Sequence, residues 1–99
     1  MIIKLSPFIP LDPEESLTLK KRGDVLTING ERFDFRELPE RAVLPASAID
    51  CAYVIGEVTR TNGSLEITLR LPCSIDSSSA ATFPADIINP PDGNVSLPE

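Results

Sequence analysis

Residues 24–35 read Asp24-Val25-Leu26-Thr27-Ile28-Asn29-Gly30-Glu31-Arg32-Phe33-Asp34-Phe35. Two alternating stretches flank Asn29-Gly30. Asn-Gly is the strongest short hairpin signal, because a type I′ turn needs positive φ at both central residues. A two-residue loop pairs Ile28 with Glu31, Leu26 with Phe33 and Asp24 with Phe35. Leu26, Ile28, Phe33 and Phe35 then share one face, while Val25, Thr27, Arg32 and Asp34 take the other. A slip of one residue would mix these sets, so the hydrophobic pattern specifies the register.

Outward from this hairpin the pattern continues. Leu17-Thr18-Leu19-Lys20-Lys21-Arg22 alternates, and Gly23-Asp24 supplies a second tight turn. Leu19 then pairs with Ile28. Residues 17–35 are expected to form a three-stranded meander with one apolar face. A second Asn-Gly hairpin spans 53–71 around Asn62-Gly63. A regular ladder there pairs Arg60 with Leu65, Val58 with Ile67, Gly56 with Leu69 and Val54 with Leu71. Val54, Val58, Leu65, Ile67, Leu69 and Leu71 form its apolar face. Gly56 marks a bulge or a close backbone approach.

Each unit has one apolar and one polar face, and pressing the apolar faces together buries both. The expected fold is therefore mostly β: a small antiparallel sandwich or bent sheet. Residues 36–52 are a Pro-rich connector, because Pro39 and Pro45 are incompatible with a central strand. Pro45-Ala46-Ser47-Ala48-Ile49 suits one helical turn, proline being favoured at a first helical position.

The 99 residues point to one domain, expected over 1–73. Residues 74–99 form a Pro/Ser-rich acidic tail, packed on that domain or on a neighbouring subunit. Ile75, Phe83, Ile87, Ile88, Val95 and Leu97 are its expected anchors. Val95-Ser96-Leu97 is expected as a short edge strand, with Ile2–Leu5 as its partner.

Lys and Arg total 9 against 15 Asp and Glu, a formal charge of −6. All nine basic residues lie at or before Arg70; residues 72–99 carry Asp76, Asp86, Asp92 and Glu99 with no base. An acidic chain repels phosphate backbones and anionic membranes, so neither nucleic acid nor membrane is an expected partner. No apolar run reaches the roughly 20 residues of a membrane helix, and the first residues lack a signal peptide's h-region. The cytoplasm, with reduced thiols, is the expected compartment.

There is no His, which removes Ser-His and Cys-His pairs and the commonest metal ligand. Cys51 and Cys73 are expected as free thiols, since the regular ladder sets Cys73 opposite Ala52 and turns the two sulfurs to opposite faces. Arg22-Gly23-Asp24 spells an integrin-recognition tripeptide, but a turn wants those residue types for its own reasons. Asp12-Pro13-Glu14-Glu15 is too small a ligand set for calcium. No catalytic, cofactor-binding or metal-ligating residue is assigned, partner-binding residues stay open, and the chain is expected not to be an enzyme.

The strings Gly23–Phe35 and Gly56-Glu57-Val58 … Asn62–Pro72 resemble short hypothetical proteins of bacteriophages and prophages encoded near tail genes. The opening Met-Ile-Ile-Lys-Leu-Ser-Pro-Phe and the ending Val95-Ser96-Leu97-Pro98 fit the same group. The resemblance implies a phage-related context and no specific activity. On it, the expected function is a minor tail component or tail-assembly accessory with a protein partner, either in the host cytoplasm or in the virion. The alternative is a small acidic regulatory or inhibitory module acting on a host protein through the tail. A homo-oligomer is a further expectation, with Leu17–Arg22 as an edge strand able to pair across a two-fold axis.

Overall fold

The computed structural model describes residues 1–12, 14–73, 84–95 and 97. The chain is mostly β. Strands β1 (Ile2–Phe8), β2 (Leu19–Arg22), β3 (Val25–Ile28), β4 (Glu31–Asp34) and β5 (Val43–Pro45) precede a 3-10 turn over Ala46–Ala48. Strands β6 (Val54–Thr61), β7 (Ser64–Pro72), β8 (Ile87–Ile88) and β9 (Gly93–Asn94) follow it. They form two sheets, ordered β5-β6-β7-β1-β8 and β4-β3-β2-β9.

The meander of the second sheet follows its expected register. Leu19 pairs with Ile28, Leu26 with Phe33, and Ile28 with Glu31. At the turn, Asn29 has φ 49° and Gly30 φ 85°, both in the left-handed region that a type I′ turn requires. Asn62 and Gly63, with φ 53° and 76°, repeat this in the second hairpin.

The second hairpin departs from its regular ladder beyond the first rungs. Arg60 pairs with Leu65 and Thr59 with Glu66, but the next pairs are Ile55 with Thr68 and Val54 with Leu69. The expected pairs Val58–Ile67, Gly56–Leu69 and Val54–Leu71 do not form. Strand β6 spends two more residues than β7 between those rungs, around Gly56, whose φ of 70° few other residues adopt without strain. The inserted length is even, so side-chain parity survives: Val54 and Val58 both point into the core, at 4% and 0% exposure. Beside the bulge, Val58 and Glu57 pair with Leu44 and Pro45 of β5. Pro45 thus lies in an edge strand, where a missing N–H leaves no gap in the sheet.

Among the described residues, strand β1 brings the one parallel pairing into an otherwise antiparallel sandwich. It lies along β7 with Ile3 opposite Ile67 and Leu5 opposite Leu69. Parallel pairing needs a long crossover, and the meander plus the connector supply it. The other edge of β1 is taken by Ile87–Ile88, not by 95–97 as expected. Gly93–Asn94 pairs instead with β2, and the Val95 N–H donates to the Leu19 carbonyl at 2.9 Å. Strand β2 is therefore covered, and the expected free edge at Leu17–Arg22 is absent at Lys20 and Lys21. Residues 84–95 thus feed both sheets, while the expected anchors Ile75 and Phe83 lie outside the described residues.

The sheets pack face to face around one core. Ile3, Val54, Val58, Leu65, Ile67 and Leu69 come from the first sheet, and Leu19, Leu26 and Ile28 from the second. Phe35, Met1 and Val95 complete the cluster. At roughly 1.5–3 kcal/mol per fully buried aliphatic side chain, this layer is the main source of stability.

Candidate functional site

The outer face of the second sheet carries the chain's densest positive charge. Its register explains why. Lys20 pairs with Thr27 and Thr27 with Arg32, so these three form one rung across β2, β3 and β4. Arg22, Val25 and Asp34 form another. Every residue of both rungs has the parity opposite to Leu26 and Ile28, and so faces away from the core. Lys20, Lys21, Arg22, Arg32 and Arg36 line an open groove of about 800 Å³, floored by Val25 and Thr27 and flanked by Asp92. Five of the nine basic residues of an acidic chain thus border one groove; Lys21, paired with Leu26, has the core-side parity and reaches it at the sheet edge beside Asp92.

Two of the five are paired. The Arg36 guanidinium forks onto Asp34, with Nη2 2.7 Å from Oδ2 and Nε 3.0 Å from Oδ1. The Arg36 backbone N–H also donates to Asp34 Oδ1 at 3.0 Å. These hydrogen bonds hold the Asp34 carboxyl well below its usual range, at about 2. Lys21 Nζ donates to Asp92 Oδ1 at 2.9 Å, and the Gly23 N–H donates to the same oxygen at 3.0 Å. Both bonds lower the Asp92 carboxyl. Lys20, Arg22 and Arg32 form no ion pair among the described residues. They are exposed and free to meet an outside anion.

Three of the four basic residues elsewhere have internal work. Arg60 Nη2 meets Asp24 Oδ2 at 2.9 Å and donates to the Phe35 carbonyl at 3.0 Å, while Nε donates to the Leu38 carbonyl at 2.6 Å. Lys4 pairs with Glu66 at 2.6 Å, and the Arg70 guanidinium lies 3.9 Å over the Phe8 ring. The Arg22-Gly23-Asp24 tripeptide is therefore divided by the fold. Gly23 sits in the turn, Asp24 is held by Arg60, and only Arg22 reaches the groove. Cys51 and Cys73 are free thiols. The Cys73 N–H and Sγ both address the Phe8 carbonyl, at 2.8 and 3.4 Å.

At the opposite end of β2, a second feature stands clear of the sandwich. After Phe8 the chain forms an arm, Ile9-Pro10-Leu11-Asp12, with Ile9 65% and Leu11 106% exposed. Asp12 turns the backbone, its Oδ1 accepting from the Glu14 N–H at 2.9 Å. The arm is tied down beyond that turn. Asn29 accepts from the Thr18 N–H at 2.7 Å and donates through Nδ2 to the Ser16 carbonyl at 3.2 Å. Glu15 approaches the Tyr53 phenol, whose pKa is raised by burial and by that carboxylate. No group of three metal-ligating side chains occurs among the described residues.

The groove can hold negative charge. Sequence reading placed Arg32 and Asp34 on the polar face but stopped there. Extending the same parity to Lys20 and Arg22 gathers the free cations of β2 and β4 onto one face. Comparison with known protein families, curated proteins and solved structures returns no match.

Proposed function

We propose that the chain is a non-enzymatic, phage- or prophage-related protein, a minor tail component or tail-assembly accessory, that works by docking onto protein surfaces. The observation that carries the docking reading is the separation of charge. An acidic chain gathers five cations in one groove and leaves three of them without an ion-pair partner among the described residues. Charge held apart in this way steers encounter and fixes orientation more than it stabilises a fold. The phage context rests on the sequence resemblance.

Two measurements test the reading together: mass spectrometry of purified particles, and tail assembly in a strain lacking the gene. Presence in the particle, or a tail defect on deletion, is the expected result. A protein missing from particles whose tails assemble normally without it would overturn the proposal.

A further inference from the structure

We infer that the basic groove receives the acidic arm of a second copy of this chain, so that copies associate head to tail. The inference rests on the docking reading above and names the partner.

The arm and the groove are complementary in charge. The arm carries the exposed carboxylates Asp12 and Glu14, while Glu15 is engaged by Tyr53, and the groove offers Lys20, Arg22 and Arg32 without ion-pair partners among the described residues. The arm also carries two bare aliphatic side chains, Ile9 and Leu11. A single exposed leucine is ordinary. Two on one short arm beside two carboxylates suit a surface of long cationic side chains, whose aliphatic stems accept apolar contact. Pro10 narrows the backbone freedom of the arm, which lowers the entropy cost of seating it.

Position makes the contact intermolecular. The arm is anchored at the Asn29 end of the sheet through Ser16 and Thr18, whereas the groove reaches the Gly23 end, where Asp92 and Gly93 flank it. Strand β2 separates these ends by about 13 Å at ~3.3 Å per residue. Within one chain Leu11 stays uncovered. Joining two unlike patches is a heterologous contact, which closes into a ring or continues as an open chain. Nucleic acid is a poorer occupant. The chain's net charge is −6, and the aromatic side chains of β4 and its flank, Phe33 and Phe35, pack toward the core instead of offering a stacking surface to the groove.

The test is sedimentation velocity of the full chain over a concentration series, at low salt and at ~1 M salt, where screening reaches within about 3 Å. Association at low salt that is lost at high salt is expected. Reversing the groove with R22E and R32E, or the arm with D12K and E14K, should weaken association at least tenfold in each case. Mixing the two reversed proteins should restore it, because each then presents a face complementary to the other. A charge-neutral pair, R22Q and R32Q, should weaken association in the same direction and guards against misfolding of the reversed protein. A wild-type chain that stays monomeric at low salt overturns the inference. So does association that survives groove reversal, or a monomer that binds a short single-stranded DNA through Arg22 and Arg32. None of these results bears on whether the protein is found in particles, so failure here is distinct from failure of the tail reading.

Discussion

Arg60 lies in β6 of the first sheet and binds three groups of the second sheet's hairpin and its exit: the Asp24 carboxylate and the carbonyls of Phe35 and Leu38. Its side chain is 12% exposed, against 32% for Asp24. Truncation would leave a half-buried carboxylate and two carbonyls without their donor, so Arg60→Ala should cost about 2 kcal/mol in urea unfolding. Lysine cannot fork between a carboxylate and two carbonyls, and Arg60→Lys should recover less than half of that loss. Asn29 also has two roles. Its αL backbone suits the turn, and its side chain holds residues 16 and 18. Asn29→Gly keeps the turn and deletes the anchor, so stability should fall by about 1 kcal/mol while the β3–β4 register, read by cross-strand NOEs, stays unchanged. The sequence shows the first role of Asn29 and hides the second. A turn signal is local, whereas the side-chain partners lie eleven to thirteen residues away.

At the scale of elements, the legible parts are those whose pairing is set by a short turn. The meander and the first rungs beyond Asn62-Gly63 follow from two-residue loops and period-2 alternation. Beyond Thr59 the pairing leaves the continuous ladder that alternation alone implies. Gly56 signalled a bulge, but its length could not be read, since an insertion of two residues preserves the same apolar face. Strands β1, β8 and β9 were harder for a different reason. Their partners are fixed by long-range packing, and two-residue strands carry no periodicity of their own. Asp92 shows how such a strand is held in place: one carboxylate oxygen accepts from both Lys21 Nζ and the Gly23 N–H. Asp92→Ala should therefore speed hydrogen exchange at the Gly23 and Val95 amides, the latter donating to Leu19, and leave the Leu26 and Ile67 amides protected. Uniform acceleration across all four amides would mean that β9 is not a separate unit. The groove is not legible at this same scale, because its cations belong to β2, β4 and the exit of β4 and meet only once β2, β3 and β4 are in register.

Across the whole molecule, the carboxylates set how the fold responds to acid. Asp34 titrates at about 2 in the folded chain, against roughly 3.9 for an unperturbed aspartate, and Asp92 is shifted in the same downward direction. A depressed folded value means that the unfolded chain takes up protons first. The stabilisation is fully present above the unfolded value, near pH 4, and is lost as pH falls toward 2. With no His in the chain, no side chain of ordinary pKa changes charge between about pH 5.5 and 7.5, so stability should be flat there. Urea midpoints measured from pH 7 to pH 2 should stay level to about pH 5 and then decline. The decline has contributions from many carboxylates, so the variants carry the test. Asp34→Asn and Asp92→Asn together should lower the neutral-pH midpoint and make the curve below pH 4 shallower, because the lost bonds no longer titrate. Arg36→Gln should reproduce part of the Asp34 change, since it removes the guanidinium fork, the largest cause of the lowered carboxyl, and keeps the backbone N–H bond. A double variant whose acid limb parallels the wild type would show that Asp34 and Asp92 keep ordinary pKa values in the fold, and that the bonds at the groove's edges do not outlast the encounter with water.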